Sequence, residues 1–152
     1  MPTSYTYEAY EARMAAAAAL EADILPLNKA ALFDTLQAAG INRVVVRFDG
    51  YGDSGQIEAV EAFDAADVAG NIPDAAIEFR EVTFDGPSVA ARSVPVEEAI
   101  EMMAFALLER THAGWENNEG AFGDFTFDVT ERSIAFDYNK RHIESTSYYH
   151  EF

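Results

Sequence analysis

The stretch AFGDFTFDVTERSIAFDYN, residues 121–139, decides the fold class. Phe125, Phe127 and Val129 alternate with Asp124, Thr126, Asp128 and Thr130. Beyond Glu131-Arg132 the rhythm returns, with Ile134, Phe136 and Tyr138 set against Ala135, Asp137 and Asn139. In a strand, alternate residues share a face. The spacing therefore predicts an antiparallel hairpin, aromatic on one face and acidic on the other. An aromatic face must be covered, so helices are sought on either side of it.

Residues 94–112 supply one. Ser93 reads as its cap, Pro95 fits its first turn, and Glu97 and Glu98 sit near the positive end of the dipole. Val96, Ile100, Met103 and Leu107 form its apolar stripe. Upstream, residues 5–24 read as helix from Tyr7, Tyr10, Met14, Ala17 and Ile24 and an alanine-rich run. Pro26 predicts a break. Asn28 reads as the N-cap of a second helix to about Ala39, with Gly40 as a left-handed stop. Strands are expected at 41–48, 56–62 and 76–84, and a loop at 64–75. The order argues for an α+β fold: an antiparallel sheet of about five strands with helices packed on one face. One domain is expected over 1–152, with a helical part at 1–40 and an α+β part at 41–152. The dense aromatics of the tail, Tyr148, Tyr149 and Phe152, predict that it packs back on the body.

Charge narrows the function. The chain has 27 acids against 10 bases, for a net charge of −17. Eight carboxylates and no Lys or Arg lie between Phe48 and Phe79: Asp49, Asp53, Glu58, Glu61, Asp64, Asp67, Asp74 and Glu78. Such a surface disfavours direct contact with nucleic acid and with anionic membranes, and favours basic protein surfaces or divalent cations. The absence of cysteine excludes disulfides and thiolate chemistry. No signal peptide or membrane span is evident, so a cytoplasmic location is expected.

Two loops carry candidate chemistry. In Asp49-Gly50-Tyr51-Gly52-Asp53-Ser54-Gly55 the EF-hand positions fail, since Tyr51, Ser54 and Val60 stand where a ligand, a glycine and a glutamate are needed. A looser site for Ca²⁺ or Mg²⁺ made by Asp49, Asp53 and Glu58 stays open beside a plain tight turn. In Trp115-Glu116-Asn117-Asn118-Glu119-Gly120, the tryptophan is either the anchor of a recognition loop or a plug in the core. His112, His142 and His150 match no metal-binding spacing. There is no nucleophile elbow, phosphate-binding loop or dinucleotide fingerprint, so the reading leans away from an enzyme.

The motifs RFDGYGDSGQIE (47–58) and HAGWENNEGAFG (112–123) continue into Phe127-Asp128-Val129, Asp137-Tyr138-Asn139 and His150-Glu151-Phe152. Together they resemble a family of small acidic proteins from bacteria, plasmids and phages, catalogued only as a domain of unknown function. The likeness spans roughly residues 41–152. It implies that the two loops belong to one recurring pattern. By analogy with other small acidic proteins of mobile elements, it also implies an inhibitor of host defence or of nucleic-acid machinery, anti-CRISPR-like in style.

Two functions are carried forward. One is a non-catalytic acidic binding protein that mimics nucleic acid on a basic surface, using Asp49, Tyr51, Asp53, Glu58, Trp115, Glu116, Asn117, Asn118 and Glu119. The other is a divalent-metal-binding protein or metal-dependent hydrolase with Asp49, Asp53, Glu58, Glu116 and Glu119 as oxygen ligands. A plasmid or phage accessory role of another kind is the remaining alternative.

Overall fold

The structure, a computed structural model, describes residues 7–52, 54–83 and 86–152. Its elements run α1 (Tyr7–Ala38), β1 (Arg43–Tyr51), β2 (Ser54–Phe63), β3 (Ala69–Gly70), β4 (Ala76–Thr83), β5 (Ser88–Pro95), α2 (Val96–His112), β6 (Ala121–Asp128) and β7 (Ser133–Lys140). The fold is α+β. An antiparallel sheet of five strands runs in the order β3-β2-β1-β6-β7, and β4 and β5 form a separate two-stranded sheet.

The alternation in 121–139 folds as its spacing predicts. Phe125 pairs with Phe136 and Asp124 with Asp137, and the turn closes between Asp128 and Ser133. Val44, Val46, Phe48, Phe125 and Phe127 are buried on one face. Both helices lie over that face. Phe33 of α1 packs on Phe127 with centroids 6.3 Å apart, and His112 of α2 stacks on Tyr138. Arg43, Arg47, Asp124, Asp137 and Asn139 occupy the opposite side of the pleat.

The first helix departs from expectation. It is one helix of 32 residues that runs through Pro26. An interior proline costs about 3 kcal/mol, so packing must supply the compensation. Part of it is Asn28, which caps nothing. Its side chain is 4% exposed, donating to the Arg80 carbonyl at 2.9 Å and accepting from the Arg80 N–H at 2.9 Å. Among the described residues strand β4 pairs with β5 alone, and this amide satisfies a rung of its other edge. Replacing Asn28 with alanine strands both backbone groups. The expected cost is about 1–3 kcal/mol, read as a lower urea midpoint at unchanged m-value. Gly40 does stop the helix, with φ +77°. The Ile41 N–H reaches the Leu36 carbonyl at 3.0 Å and the Gly40 N–H that of Gln37 at 3.0 Å, a Schellman closure.

Two further differences follow from pairing that hydrophobic pattern does not reveal. Strand β5 is almost wholly exposed apart from Val94, and it exists because it pairs along the length of β4. Ser93 therefore sits in a strand opposite Glu78, and α2 begins at Val96 behind Pro95 with no side-chain cap. The stretch 64–75 is loop apart from the short β3, which pairs with the end of β2. Past Lys140 the tail forms no helix or strand, and it does not pack back. Ile143, Tyr148 and Tyr149 are 73%, 80% and 83% exposed, and Phe152 is fully exposed. No described helix is long and apolar enough to cross a membrane.

Candidate functional site

The two glycine-rich loops meet, and what joins them is Trp115. Strands β1 and β2 pair in register from Arg43 to Arg47; then Phe48 faces Ile57, which makes Glu58 the extra residue of a bulge. Beyond the bulge Gly50 faces Gly55. That pair of glycines leaves a bare patch on the core face, and the indole of Trp115 lies in it. A Cβ on Gly50 would stand 2.5 Å from Cζ3 of the ring, and one on Gly55 2.4 Å from Cη2. The ring meets Phe48 edge-on, centroids 5.4 Å apart and planes at 85°. Trp115 is only 5% exposed. It is the core plug, and it cannot also be a surface anchor.

Backbone contacts fasten the rest. The Gly52 N–H donates to the Asn118 carbonyl at 3.2 Å, and Gly120 presses against the Gly50 carbonyl with φ +75°. Arg141 closes the junction from the far side. Its N–H donates to the Gly120 carbonyl at 2.9 Å, its guanidinium donates to the Gly50 carbonyl at 3.2 Å, and it lies 4.6 Å over the Phe122 ring. It also sits 2.9 Å from Asp49 Oδ1, a charge contact without hydrogen-bond alignment. The sequence reading missed Arg141. Its signal was faint: a lone arginine just past a hairpin, in a chain with only 10 bases.

The candidate residues therefore divide. Tyr51 is 72% exposed at the hairpin tip. Glu58, Asn117, Asn118 and Glu119 are exposed, and Asn118 takes a left-handed φ of +58°. Glu116 is half-buried, with its Cβ over Gly50 and Gly55. Asp53 lies outside the described residues. Two of the candidate metal ligands that are described have partners within the protein. Asp49 is engaged by Arg141, and Glu58 accepts from the Gln56 amide at 2.8 Å. Among the described residues no group of three or more His, Asp or Glu side chains is placed to hold a metal ion. His150 stacks loosely on Phe152, far in sequence from His112.

The acidic run is partly neutralised by the fold. Arg43 pairs with Asp67 at 3.2 Å, Arg47 with Glu61 at 2.7 Å, Arg80 with Glu78 at 3.9 Å and Arg141 with Asp49. Four of the seven described carboxylates between Phe48 and Phe79 thus have an arginine neighbour that lies outside the run. Linear one-signedness overstated that patch.

A model of a family of unknown function (DUF6878) matches residues 24–152. The chain belongs to that family. The match reaches back to Ile24, so it takes in the helix face that carries Asn28, Leu32, Phe33 and Leu36. No curated protein and no solved structure matches the chain. Much of the glycine content of the two motifs now has a structural reason. Gly50 and Gly55 make the seat of Trp115, Gly120 lies against the Gly50 carbonyl, and Gly123 lies against the Asp137 carbonyl of β7. Among the motif residues that reach solvent are Tyr51, Glu58, Asn117, Asn118 and Glu119.

Proposed function

We propose that the protein is a non-catalytic binding protein whose carboxylates engage a basic protein surface, in the manner of a nucleic-acid mimic. The observation that carries the reading is like charge held close together. Asp124 and Asp137 stand directly opposite one another on β6 and β7. Facing carboxylates in such a pair repel and cost stability. The one cation across from this pair, Arg47 opposite Asp124, donates to Glu61 instead. On α2, Glu101 is pushed above the usual carboxylate range by burial and then by its neighbours Glu97 and Glu98. Among the described residues six arginines each hold one acid, which leaves most of the described carboxylates without a cation. A partner rich in Lys and Arg would relieve that repulsion and be steered by it.

The apolar anchors move from Trp115 to residues that water reaches: Tyr51 at the hairpin tip and Tyr148, Tyr149 and Phe152 on the tail. Removing residues 142–152 is accordingly expected to shift the melting temperature by no more than a degree or two while abolishing partner capture. Glu101→Gln checks the field from the other side. An acid whose pKa is raised in the fold binds protons more readily folded than unfolded, so stability is lost as pH rises through that window. The glutamine variant should melt slightly higher than wild type at pH 7 and the same at pH 3.

The test of the function is capture from lysate of the native host at low salt. A variant carrying Asp124→Asn, Asp137→Asn, Glu97→Gln and Glu98→Gln serves as control. A basic protein retained by wild type and lost by the variant supports the reading. Equal retention by both would overturn it.

A further inference from the structure

We infer that the hollow beside the Trp115–Gly120 turn binds a small oxyanion, a phosphate or carboxylate group. The hollow has a volume of about 300 Å³ and lies between the end of α2, that turn and β7. Ligand pockets begin at roughly this size. Its polar lining is His112, Asn117, Asn118, Tyr138 and Lys140. Among the described residues, none of these five side chains makes a hydrogen bond or an ion pair within the protein.

The chemistry of the lining is one-sided. Lysine brings three donors, each asparagine amide two, and tyrosine and imidazole one or more apiece. No carboxylate lines the hollow, although the chain carries 27. Among the described residues Lys140 has no carboxylate partner. His112 is held flat on Tyr138, centroids 3.6 Å apart and planes 3° from parallel, so its ring nitrogens are fixed in orientation at the edge of the stack. Gly114 and Gly120, with φ of +77° and +75°, bring the turn round the hollow. Convergent donors with no competing acid suit acceptor oxygens bearing negative charge. The site is independent of the basic partner proposed above, since its ligand has the opposite sign.

Trp115 lines the hollow and is the only tryptophan, so its fluorescence reports on occupancy. The experiment titrates the full chain with sodium phosphate and separately with sodium acetate, ionic strength being held constant with sodium chloride. A saturable response to phosphate or to acetate is expected, and the one that acts identifies the ligand group. Lys140→Met should weaken it about tenfold or more, and Asn117→Ala several-fold. Lys29→Met, which removes the same charge outside the hollow, should leave it unchanged. The inference is overturned if neither anion saturates, if Lys140→Met binds as wild type does, or if both lysine variants weaken binding alike.

Discussion

Trp115→Ala is expected to destabilise the protein by about 3–5 kcal/mol, the usual cost of emptying a large aromatic site. Nothing nearby can fill the gap. The floor is Gly50 and Gly55, which have no side chains to move, and the walls are Phe48 and Phe105, already fixed by their own contacts. A second substitution separates a fitted seat from simple burial. Gly55→Ala in the wild type drives a Cβ to 2.4 Å from the indole and should cost about 1–3 kcal/mol, the range for overpacking. In the Trp115→Ala background the ring is gone, and the same change should be neutral or favourable. The cycle must therefore be non-additive by at least 1 kcal/mol or so. Urea unfolding of the four proteins measures it, and simple additivity would show that ring and glycine do not touch.

Gly120→Ala should be the most damaging single methyl group. The residue has φ +75°, and its Cβ would lie 1.7 Å from the Gly50 carbonyl oxygen. That obstacle is backbone, tied in turn to Arg141 at 3.2 Å, so no side chain can yield. A loss of about 4 kcal/mol or more is expected, near the limit for point changes. Domains are stable by only about 5–15 kcal/mol, so the variant should lose a large share of that margin and melt far below wild type. Gly52→Ala is the matched control. Its φ is also positive, +57°, but nothing lies within 4 Å of its Cβ. It should cost about 1–2 kcal/mol, the backbone term alone. Thermal denaturation followed by circular dichroism distinguishes the two, and equal melting temperatures would refute the close approach.

What was legible in the sequence was what depends on local periodicity. The period-two pattern of 121–139 and the stripe of 96–107 fixed sheet, helix and buried face, and Gly40 marked its helix end. What escaped depends on contacts distant in sequence. Pro26 is a breaker by local rules, yet Asn28 finds Arg80, 52 positions away. Strand β5 has no buried stripe to betray it; only its register with β4 does. The acidic block looked unopposed because its arginines come from outside it, Arg141 from the far end of the chain. In the candidate site, glycine content announced two loops. Their meeting through one indole ring needed the bulge at Glu58, which turns Gly55 to face Gly50.

That charge, left unpaired on a fixed scaffold, is the basis on which the protein would recognise its partner. The most direct test is competition. The captured partner, immobilised, is saturated with a duplex DNA oligonucleotide and then offered the protein, at low salt and again at roughly 0.15 M, where the Debye length is about 8 Å. Mimicry predicts that DNA and protein exclude each other and that raising salt weakens both. Simultaneous binding of the two, or an affinity that salt does not alter, would contradict it.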